Sequence, residues 1–192
     1  MLARRYDAQV VGIDSSRAMV DEARGHLPPG SSAQVARAEE LPFESGSFDA
    51  TVASMSVQHF DRPRAFAESF RVLVPGGGFA IATTDPDGPP FWAERFFPSF
   101  RSLVRQRFPT EAALRDDVAS AGFRDLFSER VLLDRRYDRE TALAKLRLRA
   151  YSIFALMNEE EFRRGLRRAL EDLEDAVRST VRLIVFSAKK PG

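Results

Sequence analysis

The stretch Ala38–Thr83 constrains the fold more than any other part of this 192-residue chain. Within it, Ser47–Ser54 is short, apolar and β-branched, as a buried strand is, and a Ser-Gly turn precedes it. Arg64–Leu73 then repeats apolar residues at the spacing of one helix face. Pro75 and the glycines after it end that helix, and FAIAT (Phe79–Thr83) is a second apolar strand. Strand, helix and strand form a βαβ unit, which predicts a parallel sheet with helices on its faces.

The segments on either side continue the alternation of strands and helices. Before the βαβ unit, the pattern predicts a strand at Gln9–Asp14, a helix at Arg17–His26 with Met19 facing inward, and a weak edge strand at Ala33–Ala38. After it, the predicted elements are an aromatic helical stretch at Phe91–Phe108, a helix that Thr110 caps, a strand at Leu126–Leu133, helices at about Arg139–Met157 and Glu159–Val177, and a last strand at Arg182–Ala188.

Composition excludes several classes of function. Acidic and basic residues nearly cancel, at a formal net charge of +1, so the chain has no broad positive field for nucleic acid. The absence of cysteine excludes disulfides, thiolate catalysis and cysteine-based zinc sites. No run approaches the ~18 apolar residues of a membrane span, and the N-terminus has no signal-peptide core. We therefore expect a cytoplasmic protein without a metal, a nucleic-acid partner or a membrane partner.

Three segments of the central stretch occur together in one known family. Leu41–Asp49 (LPFESGSFD), Gln58–Pro63 (QHFDRP) and Arg71–Gly78 (RVLVPGGG) resemble, in order and spacing, the middle of the class I S-adenosylmethionine-dependent methyltransferases. The nearest subgroup includes the ubiquinone/menaquinone-type C-methyltransferases. The resemblance implies an α/β, Rossmann-like fold whose mostly parallel sheet has helices on both faces. It also implies S-adenosylmethionine as cofactor, and methyl transfer to a small molecule on oxygen, nitrogen or carbon.

The resemblance assigns the ribose side of a cofactor site to the end of the first predicted strand. Asp14 stands where the family has an acid for the ribose, and a carboxylate can accept two hydrogen bonds side by side. Ser15 and Met19, which follow it, are assigned to the same site. The alternative is that Asp14 caps the next helix, with Ser15 or Ser16 as competitors for that role.

Three further residues are assigned to the cofactor. Ala38 and Glu39 lie in the loop where the family holds the adenine, read by a backbone N–H and a nearby acceptor. Many members carry an acid one residue earlier, where this chain has Arg37, so the backbone contact is the one we expect to remain. Met55 leaves a strand at its carboxyl end, where ligands bind in open α/β sheets, and is assigned to the cofactor or to the core.

His59, in the turn after that strand, is the candidate catalytic residue. An imidazole has a pKa near the working pH and can act as a general base on a hydroxyl or an acidic carbon. The alternative is that His59 only shapes its loop.

The aromatic stretch Phe91–Phe108 has two interpretations. It packs on the sheet as an amphipathic helix, or it covers an apolar substrate with Trp92 and Phe96 as walls. We expect residues 1–192 to form a single methyltransferase-like domain, N-terminally truncated, with cap segments at about 85–109 and 139–177.

One diagnostic part of the family is missing from the sequence. In nucleotide-binding folds a glycine-rich loop precedes the strand-end acid by ~20 residues, but Gly12 is the only glycine before Asp14. The first strand of the sheet, expected between the strand of Asp14 and the strand of Phe48, is missing as well. Without this loop, we expect the chain to bind S-adenosylmethionine poorly. We also expect it to be a monomer or homodimer.

Two explanations remain open for the missing loop. In the first explanation, Met1 is an internal start of a longer protein. The segment Met1–Tyr6 favours this explanation because it resembles the tail of a helix. Alternatively, the protein has lost the loop and is a non-catalytic methyltransferase-like binding protein. A third class, the NAD-dependent dehydrogenases, shares the strand-end acid but does not require the three segments of the resemblance.

Overall fold

The computed structural model describes residues 8–192, so the predicted helix tail at Met1–Tyr6 lies outside the described residues. The strands are β1 (Val11–Asp14), β2 (Ser32–Val35), β3 (Phe48–Ser54), β4 (Leu73–Thr84), β5 (Arg124–Asp138) and β6 (Ala176–Lys189). The helices are α1 (Arg17–Arg24), α2 (Arg62–Val72), α3 (Phe100–Arg107), α4 (Glu111–Ser120), α5 (Arg139–Arg147) and α6 (Glu159–Asp172), and short 3₁₀ turns lie at Val57–His59, Trp92–Phe96 and Ser152–Ala155. Among the described helices, none has the length and apolarity that crossing a membrane requires.

The strands form two sheets. β1 and β2 pair in parallel by themselves, and the other four lie in the order β3-β4-β6-β5. β3 is parallel to β4, whereas β6 is antiparallel to both of its neighbours, so β3, β4 and β5 all run in one direction. The mostly parallel, Rossmann-like α/β sheet is therefore confirmed. Within residues 8–192, β1 and β3 do not pair with each other. The first strand of the family's sheet was expected to lie between these two strands and to be missing from this chain.

Strand β6 contributes to two hydrophobic cores through its opposite faces. Ile184 and Phe186 are buried with Phe66 of α2 and Leu114 of α4 in the sheet core. Val177, near the start of the strand, is buried in a second core that helices α3, α5 and α6 form. The pairing of β6 with β5 is regular between these positions, so odd- and even-numbered side chains point to opposite faces. Helices therefore cover both faces of the sheet, at different ends.

The second core belongs to a helical cap, made of residues 91–108 and 137–177. β4 ends at Thr84, beside Leu183, but the β5–β6 pair continues to Asp138 and Ala176, which is about 20 Å farther at the rise of a strand. This extension carries the cap beyond the carboxyl end of β4. The cap core is rich in aromatic side chains, and its fully or almost fully buried members include Phe96, Phe97, Phe100, Phe154 and Phe162.

Three predicted helices differ from the structure. The predicted helix Arg139–Met157 is wrong in its second half, since α5 stops at Arg147, Arg149 has a left-handed φ of 48°, and only a 3₁₀ turn follows at Ser152–Ala155. The aromatic stretch is divided at Pro98, because Phe97 before it is extended, as the residue before a proline prefers. The predicted helix Glu159–Val177 is wrong at its end, since α6 stops at Asp172 and Val177 lies in β6. Apolar spacing continues through Leu173 and Val177 because both fill the cap core, so periodicity alone does not reveal the change from helix to strand.

Gly165, in the middle of α6, allows the closest packing in the cap. A Cβ added there would lie 2.3 Å from Cε1 of Phe97 and 2.7 Å from the carbonyl oxygen of Phe96. Helix propensity alone favours alanine over glycine by about 1 kcal/mol. We expect Gly165→Ala instead to lower the free energy of unfolding by about 2 kcal/mol, because the overlap forces the Phe97 ring to move. Urea unfolding of the purified chain measures the difference.

The matched control is Gly78→Ala in β4, where an added Cβ would have no atom within 4 Å. This variant should unfold within about 0.5 kcal/mol of the parent. Equal stability of the two variants would contradict the packing role of Gly165.

Candidate active site

The structure brings the predicted site residues to the carboxyl ends of β1 and β3. Asp14 is the last residue of β1, and Met55 directly follows β3. His59 lies in the 3₁₀ turn after β3, and its imidazole is near enough to Asp14 to sense the charge of the carboxylate. Carboxyl ends of parallel strands are the usual ligand-binding edge of open α/β sheets.

Asp14 takes part in the turn that starts α1. Its Oδ1 accepts a hydrogen bond from the Ser16 N–H at 2.8 Å, and the Ser16 side chain caps α1 by accepting from the Met19 N–H. The cap of α1 is therefore the competitor Ser16, and Asp14 stabilises only the turn before it. The carboxylate nevertheless remains exposed, as does Ser15, and both are available to a ligand.

Met19 differs from its predicted orientation. It is 57% exposed, and the neighbouring Val20 is the residue that α1 buries. The inward orientation of Met19 is therefore wrong. Its apolar side chain instead lies in solvent one turn of helix after Asp14.

Glu39 has a structural role in the loop assigned to adenine. Its side chain is 9% exposed, accepts a hydrogen bond from the Asp61 N–H at 3.0 Å, and pairs with Arg37. Burial alone would raise the pKa of Glu39, but the Asp61 amide, its own amide and Arg37 outweigh burial and lower the pKa. The carboxylate thus attaches this loop to the start of α2. Ala38 packs beside the sheet core, so a ligand at this loop is left with its backbone groups.

Met55 has a strained backbone at the end of β3. Its φ of 53° is left-handed, a region that a long L side chain rarely adopts. Its N–H donates to the Ala82 carbonyl at 2.7 Å, and its carbonyl accepts from the Gln58 side chain at 2.8 Å. These two bonds fix the strained turn and leave the Met55 side chain 44% exposed at the ligand edge.

His59 is bound by an arginine that the sequence analysis did not identify. Nη2 of Arg107, at the end of α3, lies 2.5 Å from Nδ1 of His59. A guanidinium only donates, so we assign Nδ1 as the acceptor and place the proton of the neutral ring on Nε2. Burial and the Arg107 charge lower the pKa of His59, against the smaller opposite effect of Asp14. The neutral imidazole is thereby prepared to donate from Nε2, and the contact with Arg107 disfavours protonation of Nδ1.

Asp85 is a second structurally important residue that the sequence analysis did not identify. It follows β4, is 5% exposed, and its Oδ2 binds Nε of Arg182 at 2.8 Å and Nε of Arg130 at 3.1 Å. Its Oδ1 accepts from the Asp87 N–H. Burial would raise the pKa of Asp85, but the amide and the two arginines together lower it. This cluster fixes the loop between the sheet and the cap.

Metal chemistry has no evident site in the described part of the chain. Residues 8–192 contain no group of three or more His, Cys, Asp or Glu side chains arranged to hold an ion.

Comparison with protein families and curated proteins points to one family. Residues 1–81 match the family model described as a methyltransferase domain. A mitochondrial 2-methoxy-6-polyprenyl-1,4-benzoquinol methylase of Leishmania donovani is 35% identical over 46% of this chain and 38% of its own length. A chloroplastic 2-methyl-6-phytyl-1,4-hydroquinone methyltransferase 2 of Oryza sativa subsp. japonica is 31% identical over 68% of this chain and 36% of its own length. The chain thus spans little more than a third of these relatives.

Solved structures share the fold. A putative methyltransferase from an antibiotic biosynthesis pathway of Anabaena variabilis superposes with a TM-score of 0.67 at 19% identity, covering 91% of this chain and 80% of its own. A putative methyltransferase of Bacillus halodurans gives a TM-score of 0.63 at 17% identity, covering 96% of this chain and 84% of its own. At these identities the likeness concerns the fold.

The contact between Arg107 and His59 predicts a measurable titration. We expect Arg107→Gln to raise the pKa of His59, because the variant keeps a donor near Nδ1 but removes the charge that disfavours protonation. Asp14→Asn should lower the same pKa, because it removes the anion that favours the imidazolium. NMR titration of the imidazole resonances measures both changes.

The chain offers two internal controls for this titration. His26 is the only other histidine, and its resonances should be the same in all variants. Arg105→Gln removes a charge from the same helix, but Arg105 pairs with Asp87, so the His59 curve should not move. An unchanged His59 pKa in Arg107→Gln would show that the contact does not control protonation.

Proposed function

We propose that the chain belongs to the class I S-adenosylmethionine-dependent methyltransferases and that its protein transfers a methyl group from S-adenosylmethionine to a small organic molecule. The observation that carries this proposal is that Asp14, Met55 and His59 all lie at or just after the carboxyl ends of β1 and β3, with His59 within reach of the Asp14 charge. A nucleoside with an attached sulfonium requires three kinds of group at such an edge. They are a carboxylate, an exposed apolar side chain and a hydrogen-bond donor, which Asp14, Met55 and His59 supply.

The residues present fit the adenosine half of the cofactor. The exposed carboxylate of Asp14 accepts the ribose hydroxyls, with Ser15 and Met19 beside it. Backbone groups of Ala38 and Glu39 read the adenine, because the Glu39 carboxylate is already bound to Asp61 and Arg37. The strained turn at Met55 presents an apolar side chain to the cofactor. When bound, S-adenosylmethionine supplies an activated methyl group on a sulfonium.

The chain's own contribution to the reaction is alignment and exclusion of water. Methyl transfer is an in-line displacement in which charge disperses, so a correctly aligned, dry site accounts for most of the acceleration. The aromatic cap lies beyond the carboxyl end of β4, on the side from which an acceptor would approach. We propose that His59, neutral at physiological pH, orients the acceptor by donating from Nε2 rather than acting as a general base.

We also propose that this chain alone is a weak or inactive form. The residues assigned to the cofactor all lie on its adenosine side, and β1 and β3 are unpaired with each other in residues 8–192. A non-catalytic methyltransferase-like binding protein is the alternative. The small net charge supports the absence of a nucleic-acid partner, and we keep a cytoplasmic location and a monomeric or homodimeric state as parts of the proposal.

Weak cofactor binding is best measured by NMR. Titration with S-adenosylmethionine at millimolar concentration should shift amide resonances of Asp14–Met19, Ala38, Glu39 and Met55. We expect Asp14→Asn to weaken binding by about tenfold or more, since a charge-assisted hydrogen bond contributes about 1.5–3 kcal/mol.

The control for that titration is Asp21→Asn on the exposed face of α1, where Asp21 pairs only with Arg24 among the described residues. This variant should bind like the parent. Equal binding by Asp14→Asn would refute the ribose role, and low-micromolar affinity of the unmodified chain in calorimetry would refute the expectation of weak binding.

Transfer is measured separately, as S-adenosylhomocysteine released in the presence of 2-methylhydroquinone. The DNA directly upstream of the Met1 codon decides which protein to assay. If it encodes an in-frame strand and glycine loop, the extended protein should bind cofactor and turn over. A natural gene product that neither binds cofactor nor releases product would support the non-catalytic alternative.

A further inference from the structure

Strand β5 has a long outer edge that no other described strand covers. β5 is the last strand in the order β3-β4-β6-β5, so β6 is its single neighbour in the sheet. Its 15 residues contain no proline, and its pairing with β6 is regular from Phe127 to Asp138. Within residues 8–192, the backbone from Phe127 to Tyr137 makes no backbone hydrogen bond outside the β5–β6 ladder. The outward N–H and C=O groups of this stretch can therefore pair with a further strand.

The same strand leaves large apolar side chains in solvent. Phe127 is 60% exposed, Leu132 is 62% exposed and Leu133 is 40% exposed. Because side chains alternate along a strand, Phe127 and Leu133 lie on one face of the sheet and Leu132 lies on the other. A long edge strand with apolar side chains on both faces is suited to association with another chain.

One register of self-pairing brings opposite charges together. Two copies of β5 can pair in antiparallel fashion about a twofold axis that passes through Leu132. A residue before Leu132 then faces the residue that follows Leu132 by the same number of positions in the second copy. In this register Glu129 faces Arg135, and Arg130 faces Asp134. Each contact occurs twice because of the symmetry, and opposite charges directly across two strands are stabilising.

Neighbouring registers lack this match. The outward hydrogen-bonding groups belong to every second residue, so the axis must pass through a residue and not between two residues. An axis at Val131 sets Glu129 against Leu133. An axis at Leu133 sets Arg130 against Arg136, and like charges directly opposite each other are destabilising. The axis at Leu132 is therefore favoured, and it also places Val131 against Leu133.

Glu129 and Arg135 are available for this contact. Both side chains are exposed, and neither forms an ion pair with another residue in the part of the chain that the structure describes. Arg130 and Asp134 differ from them, because each already has a partner within its own chain. The contact between Glu129 and Arg135 is thus the ion pair that self-pairing adds.

The helices leave room for the second copy. On one face of β5, α4 binds Ser128 through Glu111, whereas Arg136, toward the other end of the strand, is exposed. On the opposite face, the cap core packs against Tyr137, whereas Phe127 is exposed. The twofold axis places the covered half of each face beside the open half of the same face in the second copy. Phe127 then faces Tyr137, and the pairing covers its ring.

We propose that β5 pairs with β5 of a second copy of this chain about a twofold axis at Leu132. The resulting homodimer has one continuous sheet made of two four-stranded halves. The partner is a second copy because this edge is complementary to itself in charge, in apolar contacts and in the coverage of its faces. The interface lies at the opposite edge of the sheet from β3, so the proposal does not depend on cofactor binding or methyl transfer.

Sedimentation velocity across the micromolar range tests the dimer and its register. The parent chain should sediment as a species of twice its mass. Glu129→Arg and Arg135→Glu should each raise the dissociation constant of the dimer about tenfold or more, because each replaces two attractive contacts by two repulsive ones. Both residues are exposed, so each variant should unfold in urea like the parent.

Mixing the two variants distinguishes this register from others. In a mixed dimer the two substituted side chains face each other, and the native Glu129 of one copy faces the native Arg135 of the other. Both contacts are then attractive, so the mixture should dimerise like the parent although neither variant does so alone. The matched control is Glu44→Arg, the same charge reversal at an exposed position before β3, which should dimerise like the parent.

A second variant tests the axis without changing a charge. The chain contains no cysteine, so Leu132→Cys introduces a single thiol. Because Leu132 faces itself across the axis, the two Cβ atoms lie about 4.5–5.5 Å apart, near the distance that a disulfide spans. Oxidation by air should give a covalent dimer on a non-reducing gel, and Glu44→Cys should give none.

Three results would overturn the proposal. One is a parent chain that stays monomeric throughout the micromolar range. Another is a dimer that neither charge reversal weakens, because its interface then lies on a different surface. The third is a mixture of correctly folded variants that stays monomeric, together with a Leu132→Cys chain that forms no covalent dimer.

Discussion

The antiparallel pairing of β6 with β4 and β5 is the interaction on which the rest of the structure depends. Because side chains alternate along a strand, β6 buries Ile184 and Phe186 in the sheet core and Val177 in the cap core. Its partners differ along its length, since β4 ends beside Leu183 and only β5 continues. One uninterrupted strand thus joins a layered α/β sheet to a helical cap without a flexible linker.

The junction between the two cores is charged rather than apolar. Asp85 lies where β4 ends, and Arg182 of β6 and Arg130 of β5 both reach its carboxylate. Arg130 also pairs with Glu111 at the start of α4, so four elements share one network. A buried carboxylate without such partners would be strongly destabilising, whereas the paired group fixes the direction in which the chain leaves the sheet.

The sequence predicted the parts of the fold that local pattern controls. Strand β3, helix α2 and the Thr110 cap of α4 occur within two residues of their expected positions, because period, capping and proline chemistry act over short distances. Pro75 and the glycines after it do not end the helix as predicted, because α2 stops at Val72 and these residues lie within β4, where Gly76 has a φ of 78°. The end of α6 was wrong because the partner that makes residue 177 a strand residue is Tyr137, far away in sequence.

The candidate site was predictable only in part, for the same reason. Asp14, Met55 and His59 follow strands, and strand ends are visible in sequence. Arg107 is 48 residues from His59, and no local signal connects the two. The strain at Met55 is equally hidden, since it depends on the Ala82 carbonyl of the next strand and on the Gln58 side chain.

The position of Arg107 links the cap to the carboxyl end of β3. Helix α3 begins beside Phe91, with Phe100 stacked on that ring, and ends at the guanidinium that fixes the His59 tautomer. Any displacement of α3 within the cap would therefore move Arg107 relative to Nδ1. Since Arg107 lowers the pKa of His59, any such movement changes both the orientation of the imidazole and its proton affinity. The same short helix thus couples packing in the cap to the orientation and proton affinity of His59.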